Sequence, residues 1–272
     1  MSIALGVRVV VIACVVGLQA CSRGDRMAPS EFSPREVIDL GALVTEDLPE
    51  RVWGRAFLAV NGFTRPNSFD VIRWEFEMQD GRVAGSNSYY TLFNHGGPHV
   101  DAPNHVSVGG GVDSYPVNAF SGPLKVFDVR AFPPGKSVTE NVFRGSVSPG
   151  DIVLTFTGYT PPRTDDAFPE SITLTPAAAD YLASVPIRAY ATDAFSVATI
   201  QDTTRVDADS ETARAVPIHY AFLSRGIPVY EQLFNVNRLV GRPEGERMYF
   251  VGVPLNIHDG DGMIVRPVVF VY

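Results

Sequence analysis

From His95 to His105 the chain reads His-Gly-Gly-Pro-His-Val-Asp-Ala-Pro-Asn-His, three histidines and an aspartate within eleven residues. The whole chain holds only five histidines, so chance placement seldom gives this cluster and a metal or catalytic site is the better account. Gly-Gly-Pro and a second proline break any helix here, which leaves a loop. In an extended or turn-rich backbone His95, His99, Asp101 and His105 are even-spaced and can converge on one side. Gly96 and Gly97 permit the bends that turn several ligands inward. Imidazole nitrogens beside a carboxylate suit Zn²⁺, Mn²⁺ or Fe²⁺, and the lack of thiolates speaks against a closed structural zinc site.

The elements that must carry these residues are short and mostly extended. Val71–Met78, a turn at Asp80-Gly81 and Ser88–Phe93 predict a hairpin leading into the histidine loop. Leu124–Val129, Asp151–Phe156, Arg188–Thr192, Met248–Val253 and Met263–Val271 predict further strands, with Pro267 marking an edge or a break. Only two helices are signalled. Thr175 caps the first, with Pro176 at its first position before Ala177–Ala183. The second ends at Arg225 with Gly226 behind it, and Pro217 either opens it or interrupts one begun near Glu211. His219 falls on or near this helix and Glu231 in the extended segment after it. Taken alone, they read as a packed helix residue and a surface charge. Tyr89, Tyr90, Phe93 and Tyr115 read chiefly as core packing, with the lining of a pocket for a planar substrate as the alternative. One α/β domain dominated by mixed β-sheet is expected.

Composition bounds the class. The 272 residues carry 22 Lys+Arg against 30 Asp+Glu, a net charge of −8, and 45% are hydrophobic, enough for a real core. The acidic balance disfavours a nucleic-acid binder, and two cysteines exclude a disulfide scaffold. Gly-x-Ser-x-Gly, His-Glu-x-x-His, P-loop and Gly-x-Gly-x-x-Gly motifs are missing, so serine hydrolase, zincin and nucleotide readings lose support. The run Val9–Leu18 is too short to span a bilayer, which takes roughly 20 apolar residues. With Arg8 before it, it describes a secretory signal. Its ending Leu18-Gln19-Ala20-Cys21 resembles the lipobox of bacterial lipoproteins, where cleavage precedes a lipidated cysteine; an ordinary signal with a chance cysteine is the alternative. Residues 1–20 are then a signal, 21–35 a flexible tether and 36–272 the domain. Cys21 becomes the lipid anchor, and Ser22 behind it matches the pattern for export to the outer membrane.

The histidine stretch resembles the signature His-x-Gly-Thr-His-x-Asp-x-Pro-x-His of the cyclase-like metal hydrolase family, which includes bacterial kynurenine formamidases and isatin hydrolases. It departs only at Pro98, where Thr is usual. Gly150-Asp151 with Thr157-Gly158, the Leu174–Ala178 helix start, Asp193 before Ser196, and Glu231 with Leu233 and Asn235 follow in the family's order. The resemblance covers residues 36–272. It implies a three-layer β/β/α fold, a homodimer or larger assembly, and one or two Zn²⁺ or an Mn²⁺. It further implies that His95, His99, Asp101, His219 and Glu231 are metal ligands and His105 the catalytic acid/base.

The chemistry that goes with such a site is hydrolysis of an amide-type C–N bond, in an arylformamide such as N-formylkynurenine or in a lactam. A metal-activated water would attack, and His105, with an ordinary pKa near ~6.5, would protonate the leaving amine. An exported lipoprotein is an unusual place for cytosolic tryptophan breakdown, so the formylkynurenine assignment is inherited from the resemblance. The competing expectation is a non-catalytic lipoprotein that captures a metal or a solute.

Overall fold

The computed structural model describes residues 33–60, 69–162, 170–198 and 216–272. The segment expected to direct export, with Cys21, most of the expected tether, and the expected helix start near Glu211 lie outside them. The framework is a nine-stranded mixed sheet in the order β1-β13-β11-β5-β7-β9-β10-β4-β12. Its strands are β1 (Glu36–Asp39), β4 (His99–Asp101), β5 (Ser121–Asp128), β7 (Ile152–Phe156), β9 (Ala189–Thr192), β10 (Val229–Glu231), β11 (Met248–Val251), β12 (Gly262–Ile264) and β13 (Val268–Val271). The centre, β5-β7-β9-β10, is parallel, and the other pairings are antiparallel. Parallel strands are covered on both faces, and β7 and β9 are accordingly buried at every residue.

Alternation along these strands divides the core. Ile152, Leu154, Ala189 and Ala191 face one side, where they meet Ile38 of β1, Val100 of β4 and Phe250 of β11. Residues from both ends of the strand order share this core, so the sheet curls around it. Val153 and Tyr190 face the other side, against helices α3 (Pro176–Ser184) and α4 (Pro217–Leu223). There Tyr190 stacks on Phe222 with ring centroids 5.1 Å apart. Thr175 caps α3 by accepting from the Ala178 N–H at 3.1 Å. Pro217 opens the described part of α4, and Gly226 closes it with a left-handed φ of 68°.

Two short helices, α1 (Leu48–Trp53) and α2 (Arg55–Val60), precede the hairpin. Six residues each and split by Gly54 at φ 78°, they are too short for a helical period to stand out, so the expectation of only two helices fell short. The hairpin forms as β2 (Phe69–Glu77) and β3 (Val83–Leu92). A separate pair of two-residue strands joins β6 (Ser137–Val138) to β8 (Thr173–Leu174). Pro267 interrupts the last predicted strand, which divides into β12 and β13. Among the described residues no helix is long and apolar enough to cross a membrane.

Candidate metal centre

The stretch expected to be a loop contains a strand. After β3 the chain turns at Phe93–Pro98, with the Gly96 N–H donating to the Phe93 carbonyl. A Cβ on Gly96 would lie 2.8 Å from Pro49, and one on Gly97 2.6 Å from Leu48, so the two glycines let this turn press against α1. The chain then enters β4, fully buried between β10 and β12. Period-2 geometry puts His99 and Asp101 on one face, while Val100 faces the inner core. A 3-10 turn over Pro103–Val106 brings His105 back, its N–H donating to Ala102.

Register supplies the rest. Glu231 of β10 stands opposite His99, and His219 comes from α4 above them. His95 Nε2 and His99 Nε2 lie 3.2 and 3.1 Å from the same Asp101 oxygen, Oδ1. His219 Nε2 is 3.2 Å from Glu231 Oε1 and 3.8 Å from Asp101 Oδ2. His105 stacks on His95 with centroids 4.6 Å apart and lies 5.3 Å from the His219 ring. All six residues singled out in the sequence therefore meet. Within them, His95, Asp101 and His105 form one group of potential ligand atoms, and His99, Asp101 and Glu231 form another, each spanning no more than 4.8 Å. Asp101 belongs to both. Glu231, a surface charge by its local sequence, is 3% exposed, and His219 is 2% exposed.

The polar atoms show what the cluster needs. His95 Nε2, His99 Nε2 and both Asp101 oxygens are buried with no aligned hydrogen bond. The short distances from His95 and His99 to Asp101 thus reflect polar atoms converging on shared space, not donors pointed at acceptors, whereas His219 Nε2 and Glu231 Oε1 are within hydrogen-bond geometry. The only charged or ionisable side chains paired with the two buried carboxylates are imidazoles, with no Lys or Arg paired to them among the described residues. Uncompensated buried charge of this kind is costly, and a divalent cation resolves it with a donor set of imidazole and carboxylate. The group thus fits a divalent cation. Protonation behaviour points the same way. Burial presses His99 toward neutrality, but Asp101 and then Glu231 outweigh it and raise its pKa. Burial also presses Asp101 upward, yet His105 and His99 hold it well below the usual carboxylate range. His105 is pushed down to about 4, first by the protein packed around its ring and then by His95 and His219, although Asp101 opposes this. Of the four clustered histidines it alone keeps an exposed surface, so it is crowded on its inner side and open on its outer one.

Several residues at the site went unnoticed in the sequence. Trp53 of α1 donates its indole N–H to the His95 carbonyl at 3.2 Å. Together with His95, His105, His219, Glu231 and Ser196 it lines a cleft of about 200 Å³, with His99 and Asp101 fully buried behind. Gly262 pairs with Asp101 across β12–β4, and a Cβ there would lie 2.7 Å from His95 Nε2. Gln232, at a left-handed φ of 62° and 1% exposed, donates its amide to Phe195 O and its backbone N–H to Ala194 O. These bonds tie the loop after β9 to the end of β10, where the Val197 N–H donates to Glu231 Oε1 at 2.7 Å. The expectation of core packing for Tyr89 and Tyr90 fails: they are 68% and 59% exposed on the hairpin. Tyr115 packs beside Ala102, Val112 and Met263, behind the site. His258, outside the cluster, pairs with Asp113 on the surface at 3.0 Å.

Residues 38–199 match the model of the family described as "Putative cyclase", more than half of the chain. The chain belongs to the cyclase family. A kynurenine formamidase of Salinibacter ruber (strain DSM 13855 / M31) is 33% identical over 181 residues, covering 65% of this cyclase-family chain and 76% of that one. Among solved structures, isatin hydrolase A from Labrenzia aggregata, bound to benzyl benzoate, superposes with a TM-score of 0.66 at 23% identity, over 86% of this chain and 93% of that one. A potential metal-dependent hydrolase with cyclase activity does so at 0.59 and 24%, over 86% and 97%. At these identities the two structures establish the shared fold.

Proposed function

We propose that this cyclase-family protein is a metal-dependent hydrolase that cleaves an amide-type C–N bond in a small molecule, an arylformamide or a lactam. The observation that carries the reading is the pair of buried ligand groups sharing Asp101 at the back of a cleft. The kynurenine formamidase of Salinibacter ruber and the isatin hydrolase A of Labrenzia aggregata supply the bond class. His95, His99, Asp101, His219 and Glu231 would hold the ion, one or two Zn²⁺ or an Mn²⁺. A divalent cation there polarises a carbonyl and lowers the pKa of water toward ~7.

The chain's own residues do the rest. His105 stands on the cleft wall with its outer side open, stacked on His95, where it can take a proton from the attacking water and pass it to the departing nitrogen. The balance is that of hydrolysis: the hydroxyl goes to the acyl carbon and the proton to the amine. Trp53 contributes an aromatic side chain to the cleft lining, which suits a planar substrate. His105→Ala is expected to lower turnover by about 10²–10⁴-fold while metal content stays at wild type. Loss of metal in that variant would make His105 a ligand, as its grouping with His95 and Asp101 permits. No turnover of any N-formyl arylamine or lactam by metal-loaded wild type would favour the solute-capture reading.

We also propose that Cys21 anchors the protein by lipid in the bacterial outer membrane and that a second copy covers the hairpin. An isolated two-stranded hairpin is marginal in water, and this one leaves Ile72, Trp74 and Phe76 at least 40% exposed. Sedimentation of the purified protein tests the assembly, and the mass of the mature chain tests the anchor.

A further inference from the structure

The cleft that holds the histidines is not the larger one. Also walled by α1 is a separate cleft of about 450 Å³, within the range of roughly 300–1,000 Å³ typical of small-ligand sites. None of the six clustered residues lines it. Its walls among the described residues are mainly apolar, contributed by Val52, Phe156, Tyr159, Leu233, Phe234 and Val236. The polar groups divide into those already used and those left open. Asp193 is used completely: Oδ1 accepts from the Thr157 N–H and hydroxyl, and Oδ2 from the N–H groups of Gly158 and Tyr159. Asn235 donates its amide to Asp39 O at 2.8 Å.

Arg51 and Asn237 are different. Both line the cleft, both are exposed, and neither side chain makes a hydrogen bond or ion pair with a described residue. The acids nearest Arg51 in sequence are engaged elsewhere, Glu50 with Arg55 at 2.8 Å and Asp47 with the Thr45 hydroxyl at 2.6 Å. Asp47 still feels the Arg51 charge, but only through space. An open guanidinium fork and an open amide at an apolar cleft are the complement of a molecule with an apolar body and one carboxylate.

We propose that this cleft is a second ligand site, separate from the histidine centre, for a small carboxylate with a ring-sized apolar body. Its position ties it to the first site, because α1 is a wall of both. Val52 O accepts from the Tyr159 hydroxyl at 2.6 Å at the larger cleft, and Trp53 holds the His95 carbonyl at the smaller.

Phenylacetate titrated calorimetrically into the metal-loaded protein tests the proposal. One site per chain is expected, with affinity unchanged within about twofold after chelation of the metal. Arg51→Met and Asn237→Asp should each weaken binding, the first by about tenfold or more, as loss of a charge-assisted hydrogen bond requires. Phenylacetamide, which lacks the charge, should bind weaker by a similar factor. Failure of wild type to bind millimolar phenylacetate overturns the proposal, as does undiminished binding by both variants. Binding that disappears with the metal places the probe at the histidines and overturns it too, while leaving the hydrolase reading untouched.

Discussion

Gly262→Ala asks whether β12 really sets the position of a metal ligand. The new Cβ would lie 2.7 Å from His95 Nε2, 3.0 Å from His95 Cε1 and 3.0 Å from Val100 O. Ordinary contact begins near 3.4 Å, so the ring must give by about 0.7 Å. The carbonyl cannot yield as easily, because Val100 sits in the β4–β12 ladder opposite Met263. His95 must therefore swing, and a metal site tolerates only about 0.2 Å of error in a ligand distance. Overpacking of this kind costs about 1–3 kcal/mol. For a domain of this size that lowers Tm by roughly 2–4 °C per kcal/mol. Metal affinity is expected to fall by about 10–100-fold, the range seen when ligand orientation is disturbed. Metal per chain after dialysis against a metal buffer, measured by mass spectrometry beside a thermal melt, gives both numbers. Gly85→Ala is the control, since its Cβ meets only Phe76 at 3.8 Å. Wild-type metal content and turnover in Gly262→Ala would refute the placement of His95 as a ligand held against β12.

Two further outcomes are expected. Gln232→Val puts a β-branched residue at φ 62° and deletes the amide bond to Phe195 O, so it should destabilise the protein by about 1–3 kcal/mol and weaken metal binding through Glu231; equal stability and equal metal affinity would contradict the positioning role. At the far end of the sheet, Arg266 donates twice to Asp39 and, with the Gly41 N–H, holds its pKa below the ordinary 3.8. Because the folded value is the lower one, ionised Asp39 stabilises the fold above that ordinary value and the contribution is lost as pH falls through the folded value. The stability gap between wild type and Asp39→Asn in urea melts should then be constant at neutral pH and narrow in acid; a gap that widens in acid would contradict the assignment.

What could be read beforehand follows from the range of the interactions. The candidate site residues His95, His99, Asp101 and His105 were legible because they lie within eleven residues and the chain has few other histidines. The strand that aims two of them was not. His99–Asp101 is three residues long, bounded by Pro98 and Pro103, and owes its extended form to pairing with β10 and β12, more than 120 positions away. The same distance hid Glu231, whose burial depends on neighbours its own segment does not contain. Residue type placed Thr175, Gly226 and Pro267 correctly, because capping and chain breaking are local effects. Trp53, Gln232 and Gly262 carry no pattern of their own and matter only through what they touch. The exposure of Tyr89 and Tyr90 runs against their composition, and an alternating apolar hairpin does not announce that its own chain leaves both tyrosines uncovered.

The account stands on a cation held around Asp101. Hydrolysis of an N-formyl arylamine or a lactam, followed through chelation and stepwise return of Zn²⁺ or Mn²⁺, tests that most directly. Turnover should vanish with the metal and return in proportion to the ion restored, reaching its maximum at one or two ions per chain. Turnover that persists in fully metal-free protein would contradict the account.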